Sequence, residues 1–355
     1  MKQQVKEVNY SGQVIYAAID VHKKQWHVSV GLQHTTLRSF SQPPEPMALY
    51  NYLTNNYPGG QYECAYEAGY CGYWISERLE ELGVSCLIVN PSDIPTTDKE
   101  RQQKTDKRDS GKLLKALRAQ HIESIYRPSK EHQQARALLR DREALVKTTR
   151  RIKNQIKSKL LFFGVNIPVQ YNRNRWSGKF IHWLDEQSRI EPLGVTGLNF
   201  QLEHLVSLRK LNANMVRQLR MLSKSDRYKE SCSLLMSIPG IGLLTAMKYL
   251  LEMGPIARFA NLDQHASFIG LVPRTHSSGD SERVGGMTKR GNKIVKSALI
   301  ESAWIAKRYD PVLALKFEQL VVRMKPTKAI VIIAKKLLSR IRFVLKHKKP
   351  FKQRT

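Results

Sequence analysis

The run VIYAAID, from Val14 to Asp20, is apolar, built for a strand, and ends on a carboxylate. It is followed, after the short polar break HKKQ, by a second run of the same kind, WHVSVGL, and TTLRSF from Thr35 to Phe40 has turn signals before it and makes a third. β-rich runs separated by breaks this short fold as a meander. The pattern then changes. PEPMALYNYL opens a helix on proline, QYECAYEA is a strand, GYWISERLEEL a helix and VSCLIVN a strand, and from Thr105 the chain turns helical with Leu113, Leu114 and Leu117 on one face. Three strands followed by helix, strand, helix, strand, helix predict an α/β domain: a mixed sheet with helices packed on it.

That order is the ribonuclease-H-like layout, and it gives the acidic residues a common address. Asp20 closes the first strand, Glu67 closes the fourth, and Asp106 and Asp109 lie one turn apart on the last helix, where i and i+3 side chains share a face. An isolated pair of that kind is usually an exposed acidic pair or a complement to a helix dipole. Two further acids at strand ends change its meaning, because four carboxylates can then converge at one end of the sheet. Hard cations such as Mg²⁺ (or Mn²⁺) take carboxylate oxygens and waters, and paired ions activate a nucleophile and stabilise a leaving oxygen in phosphoryl transfer. Lys104, Lys107, Arg108 and Lys112 surround the helical pair and would hold the nucleic acid beside the metal.

The charge balance names the same partner class. With 59 Lys and Arg against 30 Asp and Glu, the formal net charge is +29, which attracts polyanions and nucleic acid first among them. A purely structural nucleic-acid binder would share this balance, so charge alone specifies no reaction. A length of 355 residues with 41% hydrophobic content supports two or three domains. No apolar run reaches the roughly 20 residues that span a bilayer, and MKQQVKEVNY lacks a signal-peptide core, so a cytoplasmic protein with no membrane partner is expected. Cys64, Cys71, Cys86 and Cys232 show no CxxC spacing and read as reduced, largely buried thiols; zinc is not expected.

From Ser129 to about Phe163 a long helix keeps seven-residue apolar spacing, with Leu138, Leu145 and Ile152 on one line and Thr149, Ile156 and Phe163 on the next. A second, near Gln201 to Leu222, carries Leu205, Leu208, Leu211, Met215, Leu219 and Leu222. The pair predicts an antiparallel coiled coil, joined by a connection from Gly164 to Asn199 that is too long for a tight turn. Arg140, Arg142, Lys147, Arg150, Arg151, Lys153, Lys157 and Lys159 make the first helix a basic stripe almost free of acids, which suits a phosphate backbone better than an ordinary solvated face. The third region opens with SIPGIGLLTAMKYLLEM, where Pro239, Gly240 and Gly242 match a helix-hairpin-helix whose glycines let backbone amides approach a DNA phosphate. A plain helix-turn would look similar. Next comes a Gly- and Ser-rich loop edged by Arg274, Arg283, Lys289, Arg290 and Lys293, then basic amphipathic helices. The expected domains are 1–127, 128–228 and 229–355.

The blocks AAIDVHKKQWHVSV, YEAGYCGYWISERLEELG, VNPSDIP with KTDKRDSGKLL, SIPGIG, FIGLVPRTHSSG and GMTKRGN, in this order, resemble those of DEDD-type insertion-sequence transposases. That family includes pilin-gene-inverting recombinases and bridge-RNA-guided recombinases, and the resemblance runs from about residue 14 to 308. It implies a Holliday-junction-resolvase-like amino-terminal domain with Asp20, Glu67, Asp106 and Asp109 as its metal-holding tetrad. It implies a coiled coil that binds a structured guide (bridge) RNA, with Arg150, Arg151 and Lys157 in that stripe, and a helical carboxy-terminal transposase domain with a nucleophilic serine. Ser278, directly before the glycine, is the favoured nucleophile and Ser277 the alternative. The expected activity is RNA-guided excision and integration of an insertion element through a covalent phosphoserine link, by a homo-oligomer that is a dimer, or a tetramer on donor and target DNA. In a prokaryotic cell it would work at the nucleoid. The other readings are a metal-dependent, junction-specific nuclease that uses water, and a non-catalytic nucleic-acid scaffold.

Overall fold

The computed structural model describes residues 9–94, 106–171, 175–189, 197–278, 281–288 and 290–352. The chain divides into two compact units, Met1–Arg127 and Pro128–Thr355. In the first, strands β1 (Val14–Val21), β2 (Trp26–Gly31), β3 (Thr36–Gln42), β4 (Gln61–Glu67) and β5 (Ser85–Val89) form one sheet in the order β3-β2-β1-β4-β5. Strand β2 runs antiparallel to both β1 and β3, and β4 and β5 run parallel to β1. The mixed sheet expected from the strand order is therefore present. Parallel pairing requires a crossover, and helices α1 (Pro46–Asn56) and α2 (Trp74–Glu81) supply the two crossovers after β3 and β4.

Alternation along the strands separates two cores. Ile15, Ala17, Ile19, Trp26, Val28, Cys64, Tyr66 and Ile88 pack with Leu49 and Leu53 of α1 and Ile75 and Leu79 of α2. The alternate residues Tyr16, Ala18, Ala65 and Val89 pack with Leu113, Leu114 and Leu117 of helix α3 (Asp106–Arg118). The leucine face read from the sequence is thus the face that α3 buries. Among the four cysteines, Cys64, Cys86 and Cys232 are buried, Cys71 is half-buried, and none forms a disulfide.

The second unit is mostly helical. Its long helix α4 (Lys130–Phe162) starts at Ser129, whose side chain accepts from the His132 amide as an N-cap. The connection expected to be too long for a tight turn contains a helix of its own, α5 (Gly178–Ser188), capped by Ser177. It is followed by α6 (Gly197–Leu222), which packs along α4. Ile152, Ile156 and Leu160 of α4 meet Leu198, Leu202, Leu205 and Leu208 of α6, and Phe180 and Leu184 of α5 complete that core. The heptad reading is only partly realised: Leu211 is 48% and Phe163 42% exposed. A third helix takes part of the seam, so burial does not follow a two-helix repeat.

The opposite ends of the long helices enter a larger core, where Ala135, Leu139 and Leu219 join α7 (Lys229–Met236), α8 (Leu243–Met253), α9 (Leu262–Ile269), α10 (Lys293–Tyr309), α11 (Pro311–Val321) and α12 (Pro326–His347). The Gly- and Ser-rich segment expected as a loop is instead an antiparallel hairpin, β6 (Pro273–Ser278) and β7 (Ser281–Met287). Its sequence lacks the apolar alternation that signals a buried strand, which is why it reads as a loop. Among the described residues no helix is long and apolar enough to cross a membrane.

Candidate metal centre and nucleic-acid interface

Strand register places the first two acids. Ile19 pairs with Tyr66 in the parallel β1/β4 ladder, so Asp20 and Glu67 each follow that last pair at the carboxyl ends of adjacent strands. Because Ala18 and Ala65 belong to the core under α3, alternation puts Asp20 and Glu67 on the α3 face too. Helix α3 runs antiparallel to β1. At its far end Arg118 donates from Nη1 to the Leu32 carbonyl (3.1 Å), beside Gly31, which pairs with Tyr16 near the start of β1. One turn into the helix, the buried Ser110 hydroxyl lies 2.9 Å from that of Ser29, the partner of Ala18. Its first turn, with Asp106 and Asp109, therefore lies at the level of Asp20. The side chains of Asp106 and Lys107 are outside the described residues, as is all of Lys104.

Each described acid already has company. Asp20 Oδ2 lies 3.2 Å from His22 Nε2, and Asp109 Oδ1 accepts from Lys112 Nζ at 3.2 Å. Among the described residues no three His, Cys, Asp or Glu side chains form a metal-holding group. The donor set on this face is nevertheless hard carboxylate oxygen, and His27, paired in register with Asp20, keeps a buried Nε2 without a partner among the described residues. Its Nδ1 lies 3.2 Å from Ser41 Oγ. The carboxylate oxygens on this face fit a hard divalent cation. Beside it, a concavity of about 570 Å³ is lined by His22, Lys23, Lys24, Gln25 and Tyr70, which suits an incoming phosphate backbone. Arg108 is exposed on the same helix.

In the second unit, Ser277 and Ser278 end β6 and pair with Glu282 and Ser281; their side chains, like that of Arg274, lie outside the described residues, as does Lys289. The hairpin's base is held by two glycines. At Gly270 (φ +84°) an added Cβ would lie 2.3 Å from the Arg290 carbonyl oxygen, and at Gly291 (φ +107°) 2.6 Å from Gly270 N. Backbone packed this closely admits no side chain, which explains the glycines in the FIG and KRGN blocks. Thr288 N donates to the Val272 carbonyl (3.1 Å) and Asn292 N to that of Phe268 (3.1 Å).

A buried carboxylate ties this base to the long helix. Glu252 accepts from Arg140 Nε (2.7 Å) and Nη2 (2.9 Å) and from Asn292 Nδ2 (2.8 Å). Burial pushes its carboxyl up, and the Arg140 hydrogen bonds and charge, the Asn292 amide and the Arg136 charge more than reverse this, leaving it below the ordinary value. Arg140 belongs to the basic stripe, yet this partner 112 residues away makes it a structural brace. Arg142 likewise pairs with Glu143 (2.6 Å) and donates to Asn212. Sequence spacing could not find Glu252, because nothing local distinguishes it from an exposed acid. Arg150 and Arg151 are exposed, Lys157 is half-buried, and Arg290 is exposed.

The two glycines of SIPGIG differ. Gly240 (φ +86°) lies against α10, where an added Cβ would be 2.5 Å from the Ser302 carbonyl oxygen and 2.9 Å from Ala306 Cβ. Gly242 caps α8 with ordinary extended backbone and open space around it. Packing thus accounts for Gly240, while only Gly242 leaves its backbone approachable.

A ribonuclease-H-type sheet with acids at its carboxyl edge, joined to a helical, strongly basic second unit, defines a nucleic-acid-processing protein. Residues 17–164 match the family of DEDD transposase domains of the IS110 type, described as a transposase, and residues 232–318 match the transposase IS116/IS110/IS902 family. Two Sinorhizobium fredii proteins named as transposases are similar: y4qE is 30% identical over 69% of this chain and 58% of its own length, and y4rJ 30% identical over 77% and 74%. The pilin gene-inverting protein of Moraxella bovis is 28% identical over 79% of this chain and 80% of its own. The chain belongs to the IS110/IS116/IS902 family of transposases with a DEDD domain. It spans under two thirds of the length of y4qE.

Proposed function

We propose that this chain excises and integrates an insertion element by RNA-guided DNA strand exchange, with Ser278 as the nucleophile. The observation that carries the reading is the placement of Asp20, Glu67 and the first turn of α3 at one edge of the sheet, in a segment that matches DEDD transposases. Asp20, Glu67, Asp106 and Asp109 would hold Mg²⁺ or Mn²⁺, which when bound supplies positive charge to a scissile phosphate. The Ser278 hydroxyl forms a new O–P bond as the bridging P–O bond of the strand breaks, and its proton ends on the departing sugar oxygen. The phosphodiester is kept as a phosphoserine link, so rejoining needs no outside energy. A serine hydroxyl is a weak nucleophile unless a base or metal lowers the cost of its deprotonation.

In this reading α4 and α6 act as an antiparallel coiled coil that carries a guide RNA on Arg150, Arg151 and Lys157. The SIPGIG segment acts as a helix-hairpin-helix that brings Gly242 to a DNA phosphate. Lys104, Lys107, Arg108, Arg274, Lys289 and Arg290 bind nucleic acid, and the active form is a homo-oligomer on donor and target DNA, built from the domains 1–127, 128–228 and 229–355. The test is covalent trapping. Ser278→Ala still binds RNA and DNA but yields no protein–DNA adduct and no recombinant, whereas Ser277→Ala retains both. The opposite pattern moves the nucleophile to Ser277. Full metal-dependent cleavage in the double variant refutes serine chemistry and leaves a hydrolytic nuclease.

A further inference from the structure

The cations of the long helices fall into two groups. Arg140 and Arg142 are matched by Glu252 and Glu143, whereas Lys147, Arg150, Arg151 and Lys153 of α4 and Arg209 of α6 make no ion pair among the described residues. Val146, Thr149, Arg150 and Lys153, at i, i+3, i+4 and i+7, share one face of α4. With Arg209 and Asn212 they line a concave cavity of about 410 Å³ between the helices. No acid lies in that lining. Asn212 Oδ1 is taken by Arg142 Nε (3.2 Å), which leaves amide N–H groups as its remaining capacity.

The two cations that face each other across the cavity are held in place without any ligand. Lys153 Nζ sits 5.4 Å from the centre of the Trp176 ring, and Arg209 Nη1 donates to the Trp176 carbonyl at 3.1 Å. Such positioning lowers the ordering cost of binding. It also stores repulsion: burial, then the charges of Arg209 and Lys157, pulls the Lys153 ammonium below the ordinary lysine value. An anion shared between the helices would relieve that. On the other side of Arg150 a second hollow, of about 470 Å³, continues the cationic track with Lys147 and Arg151.

We propose that this cavity seats a backbone phosphate of single-stranded RNA, gripped by Lys153 from α4 and Arg209 from α6 with Arg150 at the rim. The proposal rests on the guide-RNA reading above and gives it an address. A flexible strand can enter a concavity, whereas duplex DNA, with a persistence length of about 150 bp, bridges over one.

The experiment is an anisotropy titration of the full chain across a salt series, with a fluorescein-labelled mixed-sequence RNA strand in one arm and a DNA duplex in the other. The variant is Lys153→Gln with Arg209→Gln; Lys153→Arg keeps the charge, and thermal melting confirms that each folds. The expected result for the double variant is about a tenfold loss of RNA affinity, as for a charged hydrogen bond. Its salt slope falls by about 0.7, the share of one single-strand phosphate. Lys153→Arg stays near wild type, and duplex binding changes little. Unchanged RNA affinity and slope, or a loss confined to the duplex, overturns the proposal while the wild type still binds RNA. A wild-type chain with no affinity for RNA overturns the guide reading itself, and this proposal with it.

Discussion

Gly240→Ala and Gly242→Ala are the same chemical change two residues apart, and the structure gives them different outcomes. At Gly240 the backbone is left-handed (φ +86°), which costs a residue with a Cβ about 1 kcal/mol. The new methyl would also lie 2.5 Å from the Ser302 carbonyl oxygen and 2.8 Å from Ala306 N, both fixed backbone atoms of α10, and such overpacking costs about 1–3 kcal/mol. Alanine restricts the unfolded chain, which returns about 0.4–1 kcal/mol. The net loss is about 1–3.6 kcal/mol, a fall in melting temperature of about 2–14 °C for a unit of this size. At Gly242, with φ −93° and no atom within 4 Å of an added Cβ, the unfolded-state gain offsets a poorer N-cap, and stability should shift by under about 0.5 kcal/mol. Circular-dichroism melting measures both, and anisotropy with a DNA duplex at fixed salt measures the rest. If a phosphate approaches the open end of α8, Gly242→Ala loses DNA affinity several-fold at an unchanged melting temperature. A Gly240→Ala chain that melts with the wild type would refute the packing argument, and a Gly242→Ala chain that melts lower than Gly240→Ala would invert it.

Asp106→Asn and Asp109→Asn should each abolish strand cleavage; for Asp109 the melting temperature should barely move, because its pair with Lys112 is partly exposed and worth about 1 kcal/mol at most. Near wild-type recombination in either would remove the metal assignment. Burial, then the Arg342 charge, pushes His265 down to about 4, while its ring stacks on Phe259 and its Nε2 meets the Tyr249 hydroxyl at 2.8 Å. Because the folded value is depressed, the stability present above the ordinary value near 6.5 is lost as pH falls toward 4, a total of about 3 kcal/mol. Urea midpoints from pH 7 to 4 should therefore drop more steeply in the wild type than in His265→Gln, and parallel curves would contradict the burial argument.

Much of the first unit was legible because its signals are local. Strand runs such as VIYAAID alternate with period two, and one register is then enough to put Asp20 and Glu67 on the same sheet face. The Leu113, Leu114 and Leu117 face likewise predicted how α3 sits, and with it the level of Asp106 and Asp109. The second unit yielded less. Its hairpin at Ser277 and Ser278 has no apolar period to read, and its place is fixed by the mutual approach of Gly270 and Gly291, which are 21 residues apart in sequence. The basic stripe was visible as composition, but its division was not. Whether an arginine is a brace or a free cation depends on which distant carboxylate the fold delivers, as Glu252 is delivered to Arg140. The sequence by itself determined the strand order, the leucine faces and the sign of the surface charge, since these depend on residue type and spacing along the chain. Only the tertiary structure decided that Gly240 is packed and Gly242 open, and that Lys153 and Arg209 share a cavity, because close approach between segments far apart in sequence leaves no periodic trace.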